Sequence, residues 1–176
     1  SQDVAVPMPG EAVRISVRLD DPDGLDEVFL WASVDGAPFE ATRMTEGSRD
    51  RFTAEVPGQA AGTLVHFYIE ASDLEGVSSF APAGGPNARA LYTVQDGAGS
   101  TSGLDDLLIL MTEADSDWLH TDIHLMSNDL VGATVVYEDR EVFYDVGVRL
   151  KGSQRGRPTA ARVGYGIDFR DDQPFR

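Results

Sequence analysis

Apolar and polar residues alternate with a period of two along much of this chain, the pattern of half-buried β-strands. Val13, Ile15, Val17 and Leu19 alternate with Arg14, Ser16 and Arg18. Asp20-Asp21-Pro22-Asp23-Gly24 ends that strand, because Pro and Gly interrupt it and Asp favours turns. Val28 to Val34 predicts a second strand, with Trp31 expected as a core anchor. Asp35-Gly36 is a hairpin signal, since a tight primed turn needs positive φ. Phe39 to Met44 returns from it, and Arg51 to Val56 forms a further strand closed by Pro57-Gly58. Thr63 to Ser72 is the longest. It sets Val65, Phe67, Ile69 and Ala71 on one face and Leu64, His66, Tyr68 and Glu70 on the other. Ala90 to Val94 closes the set after the Pro/Gly-rich loop 82–86. Six or seven short strands between turn signals predict a β-sandwich over residues 1–95.

The pattern then changes. Gln95 to Gly103 is rich in Gly and Ser, which predicts a flexible linker at 96–103 and a domain boundary. Leu107 to Met111 is a continuous apolar run, expected as a buried strand. Thr112 and Asp115 resemble a capping box, and the helix they begin is expected to turn Trp118, Leu119, Ile123 and Met126 inward. Thr134–Tyr137 and Val142–Lys151 read as a hairpin around residues 138–141. In the second strand Val142, Tyr144, Val146, Val148 and Leu150 are expected on one face. Phe143, Asp145, Gly147, Arg149 and Lys151 are expected on the other. Residues 163–170 repeat the plan, with Val163, Tyr165, Ile167 and Phe169 set against Gly164, Gly166, Asp168 and Arg170. Both strands pair one apolar face with one of glycine and charge, and glycine within a strand often marks a close approach.

Charge narrows the function classes. The formal net charge is −16, so the bulk field repels phosphate backbones and argues against nucleic-acid binding. It favours divalent cations and basic partners. The absence of cysteine excludes thiolate metal sites, disulfides and cysteine nucleophiles. No apolar run approaches the length of a transmembrane segment, and no signal peptide is evident, which leaves the mature part of an exported protein as one reading.

Three constellations carry candidate chemistry. Asp20, Asp21, Asp23 and Asp26 fall in a loop expected near Asp73 and Glu75, and clustered carboxylates suit Ca²⁺; Asp21, Asp23 and Asp73 are the candidate ligands. The alternative is that they are solvated turn residues. His120 and His124 are four apart, but HTDIH lacks the glutamate of a zinc-protease motif and no third ligand is apparent, so a surface or half-buried pair is the expected reading. Gly152-Ser153-Gln154-Arg155-Gly156-Arg157-Pro158 joins two predicted strands and follows Lys151, the only lysine of the chain. Free amides with Arg149, Lys151, Gly152, Ser153, Arg155 and Arg157 are the ingredients of a phosphate site. A basic turn with solvated arginines is the competing reading, and the Walker A and Rossmann orders are absent.

Residues 11–95 resemble the immunoglobulin-like or fibronectin III-like modules of large bacterial extracellular proteins, through DPDGLDEVFLWASVDG, VHFYIEASDLEG and LYTV. Such modules usually serve as spacers or binding platforms. Residues 104–176 resemble the N-terminal part of the CotH family, the spore-coat-protein-H-like atypical protein kinases. LMSNDLVGATVVY, REVFYDVGVRLKGSQRGRP and RVGYGIDFRDDQPFR carry that resemblance. It implies a mainly β chain: an immunoglobulin-like sandwich followed by a truncated α+β segment, the start of a kinase N-lobe. ATP and Mg²⁺ would be the cofactors of the full-length family, with Lys151 and its loop near the phosphates. Many members have a lysine-rich second strand where this chain has Arg162-Val163-Gly164-Tyr165, so the resemblance leaves open which residue pairs with the phosphates. The family's catalytic base and metal-binding acids lie downstream of any segment present here. The expectation is therefore a fragment, not catalytic by itself, of an exported protein acting on a secreted or surface protein. The alternative is a structural or adhesive extracellular module that self-assembles through strand edges.

Overall fold

The structure, a computed structural model, describes residues 1–22, 24–97, 106–152 and 163–175. The chain is mainly β, in antiparallel sheets. Five strands of the first unit form a sheet: β2 (Leu25–Val34), β3 (Glu40–Arg43), β6 (Leu64–Asp73), β7 (Ser78–Ala81) and β8 (Ala90–Thr93). Their order is β3-β2-β6, and β7 and β8 pair with opposite ends of β6. Strands β1 (Val13–Arg18), β4 (Thr45–Glu46) and β5 (Arg51–Val56) form a second sheet in the order β1-β5-β4. The expected periodicity explains why the two sheets share one core. Val13, Ile15, Phe52 and Val56 from one meet Val28, Leu30, Val65, Phe67, Ile69 and Ala71 from the other. Asp35 and Gly36 both adopt positive φ, and Ala37 N–H donates to Val34 O at 2.9 Å, as the primed turn requires.

Trp31 is not in that core. Val28 and Leu30 take the inward positions of β2, so the period of two turns Trp31 outward. There it pairs in register with Tyr68, stacks on its ring at 6.0 Å, and donates from Nε1 to Glu70 at 2.9 Å. Size and apolarity suggested an anchor, but strand phase determined the side.

The second unit is built on a four-stranded sheet in the order β12-β11-β10-β9, from β9 (Leu107–Leu110), β10 (Val131–Tyr137), β11 (Glu141–Lys151) and β12 (Gly164–Asp168). Helix α1 (Glu113–His120) is capped by Thr112, whose Oγ1 accepts from Asp115 N–H at 3.2 Å. It stops at His120, earlier than the apolar spacing implied. Leu119 and Leu125 are buried, while Ile123 and Met126 are exposed. His124 therefore lies beyond the helix, stacked on Trp118 at 4.1 Å, and does not share a helical face with His120.

One face of this sheet, with α1, encloses the second core of Ala133, Val135, Phe143, Val146, Val148 and Leu150. Phe143 reverses its expected side, and β11 contains the reason. Ala133 pairs with Val146 but Val135 pairs with Phe143, so Tyr144 and Asp145 together stand opposite Thr134. This is a β-bulge, with Asp145 at φ 54°. One extra residue reverses the alternation. Downstream of it, Val146, Val148 and Leu150 face the core as expected. Upstream, Val142 and Tyr144 turn to the opposite face.

That opposite face is where the two units meet. Tyr144 packs edge-on against Phe67 at 5.7 Å and joins the first core. Leu91, Leu110 and Val136 form a small cluster across the junction, with Val6, Leu64 and Val142 against it. Arg89 is the polar centre. Its N–H donates to Asp145 Oδ1 and its carbonyl accepts from Asp145 N–H, both at 3.0 Å. The buried Thr134 hydroxyl donates to the same carbonyl and accepts from Leu91 N–H at 2.9 Å. The Arg89 guanidinium holds Asp115 in two hydrogen bonds of 2.6 and 3.3 Å. Gly132 leaves room for it, since a Cβ there would lie 2.6 Å from Arg89 Cγ. Whatever the composition of 96–103 suggests about a flexible linker, the two units are joined by a packed and hydrogen-bonded junction; residues 98–105 lie outside the described residues.

Two groups at and beside the junction, His66 and Asp115, predict a response to acid. His66 Nε2 donates to Ala88 O at 2.7 Å, because a carbonyl can only accept. Burial lowers the His66 pKa from 6.5, a shift that the Ala88 bond only partly opposes and that Arg89 reinforces. Burial pushes Asp115 upward, but the Arg89 and Thr112 hydrogen bonds outweigh it and hold the carboxyl below 3.8. Unfolding raises the proton affinity of both groups, so acid favours the unfolded chain. The His66 contribution is complete above pH 6.5 and is lost as pH falls from there toward the lowered folded value. The Asp115 contribution is present above about pH 3.8 and is lost as pH falls through its depressed folded value. Melting temperature measured against pH should therefore drop first below 6.5, and His66→Gln should remove that first drop; an unchanged profile would refute the assignment.

Candidate functional site

The second face of the four-stranded sheet is divided between two environments. Its β9–β10 side is covered by the first unit. Its β11–β12 side carries Gly147, Arg149 and Lys151 against Asp168, Gly166 and Gly164, paired in that register. The alternation expected for this half of β11 holds, because it lies downstream of the bulge. Each cation stands opposite a glycine. With no side chain on the neighbouring strand, Arg149 lies across Gly166, with its Cγ 3.6 Å from where a Cβ would be. Arg149 Nη1 donates to Asn128 Oδ1 at 3.1 Å. Asn128, Leu130, Arg149, Gly166, Ile167 and Asp168 line an open pocket of about 350 Å³. Lys151 is exposed at the end of the strand, and Gly152 follows at φ 116°.

Gly147 shows which neighbour makes the close approach. A Cβ there would fall 2.8 Å from Leu130 Cδ1. This strand glycine makes room for a side chain of the same protein, and Leu130 forms one wall of the pocket. Asn128, Leu130 and Asp168 went unrecognised as site residues in the sequence. The first two precede β10 in a segment without periodicity, and Asp168 read only as the polar side of a strand. Of the phosphate candidates, Arg149, Lys151 and Gly152 share this end of β11. Ser153, Arg155 and Arg157 lie outside the described residues.

The acidic loops of the first unit do come together, with Leu74 N–H donating to Gly24 O at 3.3 Å. Asp73 Oδ1 accepts from Glu75 N–H at 2.8 Å and Val77 N–H at 2.9 Å, closing its own turn. Asp21 lines a cleft of about 430 Å³ with Asp20, Asp26, Arg43, Glu46 and Asp50. Asp23 lies outside the described residues. Among the described residues, no group of three or more His, Asp or Glu is placed to hold a metal ion. His120 Nε2 is 3.5 Å from Tyr165 Oη, a contact at the rim of the second core.

No protein-family model matches the chain, and no curated protein matches it.

Proposed function

We propose that this chain is the N-terminal part of an exported CotH-like protein, in which an immunoglobulin-like sandwich is docked on the first strands of a nucleotide-binding lobe. In this reading the β11–β12 face meets the phosphates of ATP with Mg²⁺, and the sandwich presents the lobe to a secreted or surface protein outside the cell. The observation that carries it is the register of the two strands. Arg149 lies across Gly166 and Lys151 pairs with Gly164, so two cations, two residues apart, share this end of the face. A phosphate is bound best by a charge-assisted, forked donor such as Arg next to a mobile ammonium. Asp168 and Asn128 add acceptors suited to hydroxyl or amine groups, so a nucleotide fits the pocket better than a bare anion. Phosphoryl transfer needs an acceptor base and metal ligands as well as phosphate donors, so binding and positioning are what this face supplies.

Titration of the chain with Mg·ATP tests this reading. Arg149→Ala and Lys151→Ala should each weaken binding about tenfold or more, the loss of one charge-assisted contact. Unchanged affinity in both variants would refute it. A second reading, assembly through strand edges, is favoured by Leu107 and Leu108, exposed at 41% and 37% on the edge strand β9. Concentration-dependent self-association without ATP binding would replace the first reading by the second.

A further inference from the structure

We propose that the first unit holds a peptide-binding surface, the open edge of β3, which takes an extended segment of another protein with apolar and basic residues on one side. The chain crosses between the two sheets at Met44. β3 pairs with β2 in the five-stranded sheet, and β4, which starts two residues after β3 ends, pairs with β5 in the other. Met44 itself is buried in the first core. The crossing leaves a gap between the outer edges of β3 and β5.

Backbone groups of an antiparallel strand alternate between its two neighbours, so the bonding phase fixes what each edge offers. Met44 N–H donates to Val28 O at 2.8 Å, and on the other side of β2 Asp35 N–H donates to Leu64 O at 2.9 Å. The residues of β3 that bond to β2 are therefore Thr42 and Glu40, opposite Leu30 and Ala32. Ala41 and Arg43 turn both N–H and C=O away from β2, and among the described residues no strand pairs on that side. The facing edge follows in the same way. Arg14 and Ser16 of β1 bond to Asp3 and Ser1, so Val13, Ile15 and Val17 are left to bond Val56, Ala54 and Phe52 of β5. Thr53 and Glu55 point to the gap; β4 covers Thr53 and stops short of Glu55.

Two openings of about 190 and 490 Å³ lie between these edges. Thr42 and Glu55 line both, and Arg43 borders the larger one and the acidic cleft of about 430 Å³, so one groove follows the length of β3. Its Glu40 end is lined by Ala32, Val34 and Val56, residues of the first core. At its Arg43 end, Asp20, Asp21, Asp26, Glu46 and Asp50 outnumber the single Arg43, which pairs with Glu27 at 3.5 Å. This gradient selects the occupant. Strand addition draws affinity from main-chain bonds and specificity from alternate side chains. An added strand would bond Ala41 and Arg43, and every second side chain would enter the groove, apolar beside Ala32 and Val34 and basic beside the carboxylates. A second copy of this chain is a poorer match. At a net charge of −16 copies repel, and the exposed edge strand β9 is preceded by Asp106 where a base is needed.

The intact, isotope-labelled chain is titrated with two capped synthetic peptides, Thr-Val-Thr-Val-Thr-Arg-Thr-Arg and its reverse, which cover both strand directions. One of them should bind saturably and slow exchange of the Ala41 and Arg43 amides about tenfold or more. Glutamate in place of its arginines should weaken binding about tenfold. Ala41→Pro removes an N–H from the open edge and none from the β2 pairing, at a position where an edge strand tolerates proline. It should weaken the arginine peptide about tenfold. If that variant does not fold, the double variant Asp26→Asn, Glu46→Gln takes its place and should narrow the difference between the arginine and glutamate peptides severalfold. Affinity indifferent to the exchange of arginine for glutamate, binding unchanged in the folded variant, or no binding of either peptide at millimolar concentration would overturn the proposal. Protection of Ala41 and Arg43 that rises with chain concentration alone would overturn the choice of occupant in favour of a second copy.

Discussion

Arg89→Ala should destabilise the chain by roughly 2–4 kcal/mol and split its unfolding into two transitions. The side chains of Arg89 and Asp115 are only 21% and 17% exposed, so their ion pair is poorly screened. Removing the guanidinium leaves Asp115 with the Thr112 hydroxyl, at 2.6 Å, as its remaining side-chain donor. It also leaves a gap above Gly132, where the Arg89 stem now packs. Breaking one partner of a sheltered pair costs more than the pair itself contributes, because a half-buried charge is left without compensation. The backbone bonds between Arg89 and Asp145 survive the substitution, so the units stay in contact but with less coupling. The two tryptophans report separately, Trp31 from the first unit and Trp118 from the second. Wild-type urea curves followed in single-tryptophan variants should coincide, and those of Arg89→Ala should separate. Coincident curves with an unchanged midpoint would show that Arg89 does not couple the units.

Phe143→Ala should cost about 3–5 kcal/mol, the usual loss for a large aromatic residue in a core. Phe143 is 1% exposed, and its ring meets Phe169 edge-on at 5.1 Å and Phe175 at 5.7 Å. Alanine would leave a cavity that the sheet cannot close, since β11 is paired on both sides by β10 and β12. The Trp118 transition should move to much lower urea, and the Trp31 transition should follow only as far as the junction transmits the loss. A shift under 1 kcal/mol in the Trp118 signal would mean that Phe143 does not support the second core.

Much of this architecture is legible in the sequence because period two is a direct physical signal. The inward rows Val13/Ile15 and Val65/Phe67/Ile69/Ala71 are buried as their alternation predicts. So are Val146, Val148 and Leu150. The exceptions are non-local. Nothing local to Tyr144-Asp145 marks a bulge, because its partners, Arg89 and Thr134, lie 56 and 11 positions away. Trp31 failed as a core residue because two smaller neighbours already held the inward phase of β2. Strand β7 (Ser78–Ala81) carries no alternation to read, because three of its four residues are exposed and its pattern is that of an edge. Ile123 and Met126 have the spacing of an inward helical face, yet the helix ends at His120 and both are exposed. The candidate pocket was half visible. Arg149 and Lys151 stand out by charge and alternation, while Asn128 and Leu130 reach the site only through the chain's path before β10.

These observations assign a role to the glycines of the charged face. Gly132 admits Arg89, Gly147 admits Leu130, and Gly166 admits Arg149. The same face thus serves as docking surface on one side and as pocket on the other, with the bulge at the border.

The most direct measurement is a titration of the intact, isotope-labelled chain with Mg·ATP, followed residue by residue by NMR. The proposed function predicts saturable shifts centred on Arg149, Lys151, Gly164 and Gly166 and on the Asn128 side-chain amide, lost in Lys151→Ala. No saturable shift at millimolar nucleotide, or shifts centred on another surface, would contradict it.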